Sequence, residues 1–225
     1  MKERILFEDN HLIAVNKLSS EIVQGDKSGD EPLSEMIKRY LKEEYRKPGN
    51  VYLGIIHRID RPTSGAVIFA KTDKALSRMN KMLKEGEIRK IYWTVVDKLP
   101  PEQEGELVHY LVRNRKQNKS YASAEKKRDS KLARLSYKVL GATNRYYMLE
   151  IELHTGRHHQ IRAQLAAVGC RIKGDMKYGF PRSNKGGGIY LHSRRIVFQH
   201  PVKKELVKIT APVPVDPLWN VFEQH

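Results

Sequence analysis

The segment HRIDRPTSGAVIFAKT, residues 57–72, joins a polar loop to a continuous apolar run. Pro62 biases the residue before it toward extended geometry, and the Thr-Ser-Gly of residues 63–65 is typical of a turn. Residues 66–70 then have the length and apolar character of a buried strand. The pattern therefore predicts that Asp60 lies in a loop that leads directly into a buried strand.

Two amphipathic helices are predicted on either side of this segment. The first has Pro32 near its start and apolar residues at helical spacing. These apolar positions are Leu33, Met36, Ile37, Tyr40 and Leu41. The second has Thr72 as its candidate N-cap and Gly86 beyond its end. A buried strand between two helices favours a mixed fold.

Further strands and a third helix are indicated along the rest of the chain. Residues 5–16 resemble a hairpin or a pair of edge strands, and strand patterns recur at residues 91–96, 147–153, 195–198 and 206–210. The third helix starts within residues 155–162 and ends at Gly169. Because no linker, repeat or change of composition divides the chain, we predict one mixed α+β domain over residues 1–225.

Residues 113–131 form a strongly basic segment with few large apolar residues. Its cations are Arg113, Arg115, Lys116, Lys119, Lys126, Lys127, Arg128 and Lys131. We expect an exposed loop or arm, and a solvated hairpin tip is the alternative.

The composition points to a polyanionic partner. The 225 residues include 42 Lys and Arg against 26 Asp and Glu, which gives a formal net charge of +16. Basic surfaces attract phosphates and gain affinity by releasing counterions, so RNA, DNA and anionic membranes are candidate partners. The single cysteine, Cys170, argues for a reducing compartment, and no window suggests a membrane span or a cleaved signal. We therefore expect a cytoplasmic protein.

Familiar nucleotide, hydrolase and metal sites are not indicated. The chain lacks a GxxxxGK[ST] phosphate loop, a GxGxxG turn after a predicted strand and a GxSxG nucleophile elbow. His154 and His158 are four residues apart, but no pattern nearby supplies a third ligand. Capping, packing or phosphate contact is favoured for these residues and for His159. We expect neither a metal nor a nucleotide cofactor.

Asp60 stands among cations in the sequence. Arg58 and Arg61 lie beside it, and the predicted third helix carries Arg162. Nearby positive charge favours the ionised carboxylate. From spacing alone a structural ion pair is the more frequent explanation, and a catalytic carboxylate is the alternative.

The chain resembles the RluA-type family of rRNA and tRNA pseudouridine synthases in five segments that occur in family order. HRIDRPTSGAVIFAKT resembles the catalytic motif, and ILFEDNHLIAVNK resembles the opening strands. The tyrosine-bearing strand, the long central motif and the ending are matched by GEIRKIYWTVV, by LHTGRHHQIRAQLAAVGCRIKGDMKYG, and by LHSRRIVFQHP with ITAPVP. The resemblance covers the chain from residue 5 to about residue 214.

The resemblance implies a role for each matching residue. Asp60 corresponds to the essential aspartate and Arg58 to the arginine that fills the gap left by the flipped base. Tyr92 corresponds to the tyrosine that stacks on the uracil, and Arg162 to the arginine that pairs with the aspartate. The implied reaction converts a uridine in structured RNA to pseudouridine, with an ionised aspartate as nucleophile and no cofactor.

The resemblance also implies a pseudouridine synthase fold, a largely antiparallel, bent β-sheet flanked by helices and loops. We expect a monomer that acts on rRNA or tRNA and binds no membrane. Many family members carry an N-terminal α-L RNA-binding domain that has no counterpart here, so target choice is expected to rest on the catalytic domain. The loop that begins at Leu18 departs from the family's first motif, and catalysis is not expected to depend on it.

Two other functions are alternatives to synthase activity. An inactive RNA-binding or ribosome-assembly factor could keep the same fold and charge, and a methyltransferase could also modify RNA. The intact Asp60, Tyr92 and Arg162 favour the synthase, because a pure binder has no need of a carboxylate where RNA phosphates approach. A methyltransferase would bind S-adenosylmethionine, and we predict no such binding.

Overall fold

The computed structural model describes residues 1–223, which form eleven β-strands and four α-helices. The predicted α+β class is confirmed. The chain divides into two compact units. The first contains residues 1–88 and 193–213, and the second contains residues 89–192 and the described residues from 214 onward. The assignment of residues 1–225 to one domain stays a prediction.

The first unit is built from six strands and two helices. They are β1 (Ile5–Glu8), β2 (Leu12–Lys17), α1 (Leu33–Glu44), β3 (Gly54–Ile55), β4 (Ser64–Ala70), α2 (Asp73–Glu85), β10 (Leu191–Gln199, which enters from the second unit) and β11 (Leu206–Thr210). The strand order is β1-β2-β4-β10, with β3 beside β4 and β11 beside β10. The pairs β1–β2, β2–β4, β3–β4 and β10–β11 are antiparallel.

The second unit contains five strands in the order β5-β9-β8-β6-β7 and two helices. They are β5 (Arg89–Val96), β6 (Glu104–Asn114), β7 (Lys119–Ser123), β8 (Lys131–Ala142), β9 (Tyr147–Leu153), α3 (Gln160–Ala167) and α4 (Pro217–Glu223). All four neighbouring strand pairs are antiparallel. The antiparallel sheet that the resemblance implied is therefore present in each unit.

Strand β4 is the centre of the first unit, because all seven of its residues are buried. On one face, its alternate residues join a core with Met79 of α2 and Phe198 of β10. The Thr72 hydroxyl caps α2 by accepting from the amide of Ala75, 3.2 Å away. Gly86 ends the helix with a φ of 78°, as predicted. The loop that carries Asp60 is thus attached to a strand that is buried on both faces.

The turn expected at residues 63–65 lies earlier in the chain. The Thr63 amide donates to the carbonyl of Asp60 at 3.0 Å, so residues 60–63 form the turn. Ser64 and Gly65 already belong to β4. Gly65 has a φ of 112°, and a Cβ there would lie 2.6 Å from the amide nitrogen of Ser193 and closer still to its carbonyl oxygen. Glycine is needed because β10 approaches β4 closely, and not because the chain turns there.

The basic segment 113–131 forms a β-hairpin for most of its length. Strands β6 and β7 pair through residues 110–114 and 119–123, and residues 115–118 form the tip. The hairpin alternative is correct for residues 113–123, where Ser120 of β7 is buried and Ala122 packs against a cluster that includes Ala163 of α3. Residues 124–129 lie outside the strands and are exposed, as the loop prediction has it. The third helix begins at Gln160 and ends before Gly169, as predicted. Among residues 1–223, no helix has the length and apolar character needed to cross a bilayer.

Replacement of Gly65 by alanine is expected to lower the free energy of unfolding by about 3 kcal/mol, because strain at positive φ adds to a clash with β10. Gly86→Ala is the matched control: its φ of 78° is also positive, but nothing lies within 4 Å of the added Cβ. It should lose only about 1 kcal/mol. Urea unfolding of both variants measures the difference, and equal losses would contradict the role given to the Ser193 contact.

Candidate active site

Asp60 lies in the turn that precedes β4, and its side chain is half-buried. The flanking arginines form contacts with other residues. Arg58 is exposed and donates from Nη1 to Gln24 at 3.2 Å, while Arg61 pairs with Asp30 at 2.6 Å. Neither of these two contacts is an ion pair between Asp60 and an adjacent arginine, which is the frequent explanation of such a sequence pattern.

The carbonyl oxygen of Arg61 connects the Asp60 turn to the loop after β2. It accepts from the amide of Ser20 at 2.9 Å and from the ammonium of Lys17 at 3.1 Å. Lys17 is fully buried and also donates to the carbonyls of Leu18 and Glu21, at 2.9 and 2.8 Å. The loop that departs from the family pattern is therefore bonded to the turn that carries Asp60, so the expectation that catalysis does not depend on this loop is revised.

Opposing effects act on the pKa of Lys17. Burial lowers the pKa of Lys17 from its ordinary value to about 7, and the carboxylates of Glu21 and Asp60 oppose that shift. The three carbonyl acceptors favour the charged form as well, because an ammonium donates three hydrogen bonds and an amine only two. Lys17 thus places a titratable cation in the electrostatic environment of Asp60.

In the second unit, Tyr92 is the fourth residue of β5 and is 6% exposed. It stands opposite Ile151 of β9 in an antiparallel pair, so its backbone position is fixed by the sheet. The prediction that Tyr92 lies on a strand is confirmed. Because Tyr92 is buried, most of its ring contacts protein and not solvent.

Arg162 lies on α3 and is 4% exposed. Its Nε and Nη2 donate to the two carboxylate oxygens of Asp175, at 2.7 and 2.8 Å, and Asp175 is 1% exposed. This side-on, bidentate geometry fixes the guanidinium plane as well as its position. A buried arginine of this kind presents its remaining N–H groups in defined directions.

The aromatic ring of Tyr178 makes a cation–π contact with the same guanidinium. The centre of its ring is 5.0 Å from the Arg162 guanidinium carbon. The Tyr178 hydroxyl accepts from the Ser120 amide at 2.9 Å and donates to the Ser120 carbonyl at 3.1 Å. Since the hydroxyl has one proton, the third contact, 3.0 Å from His159 Nδ1, requires that Nδ1 of His159 carries a proton. The network joins β7 to α3.

The loop before α3 is shaped by Gln160 and by two histidines. The Gln160 side chain accepts from the hydroxyl of Thr155 and the amide of Arg157 at 2.8 and 3.0 Å. His159, with a φ of 53°, stacks on His158 with ring centres 3.8 Å apart. Burial, and then the neighbouring positive charges beginning with that of Arg162, lower the pKa of His159 to about 2. His159 is therefore neutral in the folded protein at all ordinary pH values.

The histidines considered as metal ligands bond to other side chains. His158 Nδ1 lies 2.9 Å from the Ser120 hydroxyl, and His154 Nε2 lies 2.7 Å from the Ser136 hydroxyl. Within residues 1–223, no group of three His, Cys, Asp or Glu side chains is arranged to hold a metal ion.

The four predicted site residues divide between the units. Arg58 and Asp60 belong to the first unit, and Tyr92 and Arg162 belong to the second. Within the units, the structure brings Asp60 close to Lys17 and joins Arg162 to Asp175. That all four act on one uridine stays a prediction.

Sequence reasoning missed three residues of these environments: Lys17, Asp175 and Tyr178. A signal for Lys17 existed, because period-two alternation puts it on the same face of β2 as the buried residues Ile13 and Val15. Asp175 and Tyr178 lie in the GDMKYG part of the central motif. Nothing in the local sequence around either residue indicates that it contacts Arg162.

Comparison with known proteins identifies the family. A family model described as RNA pseudouridylate synthase matches residues 11–167. This span is more than half of the chain and contains Arg58, Asp60, Tyr92 and Arg162. The chain belongs to this family.

Named relatives and a solved structure agree with the family assignment. A relative from Synechocystis sp., named as an uncharacterized RNA pseudouridine synthase, is 30% identical over 213 residues, which cover 93% of this chain and 65% of the relative. Ribosomal large subunit pseudouridine synthase C of Buchnera aphidicola is 30% identical over 220 residues, which cover 95% of this chain and 68% of the relative. The chain thus spans about two thirds of the length of these relatives.

The solved structure of human RNA pseudouridylate synthase domain containing 4 has the same fold. It aligns with a TM-score of 0.80 at 20% sequence identity and covers 95% of this chain and 90% of the human chain. The pseudouridine synthase fold implied by the five sequence segments is confirmed.

Lys17 is expected to make the folded state more stable as the pH rises from about 7 to about 10. The folded protein releases the Lys17 proton near pH 7, whereas the unfolded chain holds it until near its ordinary pKa of 10.5. The unfolded chain therefore binds more protons in this range, and raising the pH favours folding. Urea unfolding across the range should show this rise in wild type and in the exposed control Lys84→Met, but not in Lys17→Met. A rise of the same size in Lys17→Met would contradict it.

The Arg162–Asp175 pair is expected to be important for stability. Asp175→Asn leaves a buried guanidinium without its carboxylate and should lower the free energy of unfolding by about 3 to 5 kcal/mol. The control is Asp97→Asn, which removes the carboxylate that pairs with Arg171 through Oδ2 alone; the Asp97 and Arg171 side chains are 14% and 36% exposed. Because solvent screens that pair, its loss should be about 1 kcal/mol. Equal losses in denaturant unfolding would show that burial does not distinguish the two pairs.

Proposed function

We propose that this protein isomerises specific uridines in RNA to pseudouridine, with Asp60 as the catalytic nucleophile. The observation that carries the proposal is the family match over residues 11–167, which includes the HRIDR turn with Asp60. The bonds that Lys17 and Ser20 make to the Arg61 carbonyl support it, because they hold that turn in place. A nucleophile needs such a fixed position to approach one atom of its substrate.

The chemistry requires that the uridine leave the RNA stack. Its bond from ribose C1′ to N1 breaks, the base turns, and a bond forms from C1′ to C5. The proton on C5 is lost and N1 gains one, so the isomerisation is balanced without a cofactor. Asp60 can act on the ribose or on the uracil ring, or promote elimination, and the proposal holds in each case.

Three other residues are proposed to bind the extruded nucleotide. Tyr92 stacks on the uracil, and Arg58 fills the gap that the base leaves, which offsets the lost stacking. The exposure of Arg58 supports this role, since a wedge must reach the RNA. Arg162 is proposed to pair with Asp60, and its fixed orientation on Asp175 and Tyr178 supports a role that needs directed N–H groups.

The substrate is proposed to be structured rRNA or tRNA in the cytoplasm. One relative is named a ribosomal large subunit pseudouridine synthase, which favours rRNA. The net charge of +16 supports binding to either RNA. We further propose that the protein acts as a monomer.

The decisive experiment compares cellular RNA from wild type, a deletion strain, an Asp60→Ala strain and an Asp30→Asn strain by carbodiimide-based pseudouridine mapping. One or more pseudouridines should be absent in the deletion and Asp60→Ala strains only. Asp30 is the matched control, because it is an exposed aspartate paired with Arg61 beside Asp60. With purified protein and unmodified transcript, Asp60→Ala should lower the rate by at least about a thousandfold.

Retention of every pseudouridine in the deletion strain, together with no activity of purified wild type on unmodified RNA, would overturn the proposal. Unchanged RNA binding in that case would favour the alternative, an inactive RNA-binding or ribosome-assembly factor.

A further inference from the structure

The basic segment singled out in the sequence has no role in the chemistry above. In the structure its first part forms the tip of the β6–β7 hairpin, and Lys177 from the 3₁₀ turn at residues 176–178 joins it. We call the five cations there the hairpin cluster: Arg113, Arg115, Lys116, Lys119 and Lys177. All five belong to the second unit.

Asn118 at the tip contacts two members of the cluster, Arg113 and Lys177. Its side-chain oxygen accepts from Arg113 Nη2 at 3.4 Å and lies 3.2 Å from His158 Nε2. Its backbone carbonyl accepts from the ammonium of Lys177 at 3.3 Å. Local bonds also shape the tip, since the Gln117 amide donates to the side chain of Asn114 at 3.0 Å. Arg113 and Lys177 therefore bond to the same turn that carries Arg115 and Lys116, so these cations lie close to one another.

Two tyrosines lie beneath Lys119. Its ammonium is 5.0 Å from the ring centre of Tyr178 and 5.3 Å from that of Tyr121. Tyr121 is 48% exposed, and its hydroxyl donates to the side chain of Gln117. An exposed aromatic ring beside ordered cations is typical of surfaces that bind nucleic acid strands.

The cluster is not neutralised by carboxylates. Residues 113–124 contain no Asp or Glu, and within residues 1–223 no ion pair involves any of the five cations. Elsewhere in the same unit, Arg89, Arg134 and Arg171 each pair with a carboxylate. The depressed pKa of His159, caused by burial and then by cations that include Lys177 and Arg113, is consistent with this concentration of positive charge.

We propose that the hairpin cluster binds backbone phosphates of the substrate RNA outside the target uridine. The inference rests on the proposed function for the identity of the RNA as substrate. An anionic membrane is a poorer fit, because membrane-surface binding by cations is usually accompanied by apolar side chains that insert, and the cluster has only Tyr121. Phosphate contacts of this kind act equally before and during the reaction, so they set affinity and not the chemical rate.

The test compares three triple variants of the full chain with wild type. Arg113→Gln/Lys119→Gln/Lys177→Gln removes three charges from the cluster. Arg113→Lys/Lys119→Arg/Lys177→Arg keeps them and tests whether the tip still folds. Lys74→Gln/Lys81→Gln/Lys84→Gln removes three charges from exposed positions of α2 in the first unit. Binding to an unmodified large-subunit rRNA transcript is measured against salt concentration, and turnover is measured separately at saturating RNA.

We expect the neutral cluster variant alone to bind roughly tenfold or more weakly at about 0.1 M salt, and its log–log salt slope to fall by about 2 to 3. Its kcat at saturating RNA should equal that of wild type. An unchanged slope, an equal change in the α2 variant, or a loss of binding to phosphatidylserine vesicles without a loss of binding to RNA would overturn the inference. Because binding is read without turnover, these outcomes are distinct from a failure of the proposed catalysis.

Discussion

The carbonyl oxygen of Arg61 accepts hydrogen bonds from the Ser20 amide and from the buried ammonium of Lys17, and the placement of the Asp60 turn depends on them. At its other end the turn enters β4, which is buried on both faces and closely approached by β10 at Gly65. The turn is therefore held from two sides. A carboxylate on such a turn needs little reorganisation before it reacts, which is the condition for efficient catalysis.

Lys17 in the first unit and Arg162 in the second are both buried cations, and they are stabilised in different ways. Lys17 is surrounded by carbonyl dipoles, so its charge is only partly compensated and burial lowers its pKa to about 7. Arg162 has a full carboxylate, Asp175, in bidentate contact. The guanidinium stays charged when buried, and its fork geometry allows an orientation that an ammonium does not provide. The lysine anchors a loop, and the arginine presents directed donors.

The net charge of +16 is distributed unevenly in ways that bear on function. On the sheet of the second unit, Arg89 and Arg134 face glutamates on neighbouring strands, and these pairs add little to an external field. The hairpin cluster has no such compensation. A surface of this kind attracts phosphates from a distance. The cost of desolvation is small, because the exposed cations bind phosphate at the protein surface and stay partly hydrated. Affinity for RNA and chemistry on the uridine can therefore lie on different parts of the chain.

The sequence by itself determined the family, the α+β class, two amphipathic helices with the caps of α2, and the position of Asp60 before a buried strand. These follow from local signals: period and caps for the helices, a run of five apolar residues for β4, and five motifs in order for the family. It did not determine the partners of buried polar groups. Lys17 meets Arg61 across 44 residues and Arg162 meets Asp175 across 13, and Tyr178 reaches Ser120 across 58. Such partners are chosen by the tertiary packing, because a buried donor must find an acceptor wherever the chain brings one near. Gly65 is a similar case: its place in Thr-Ser-Gly indicates a turn, but glycine is required there because a Cβ would meet the backbone of Ser193 on β10.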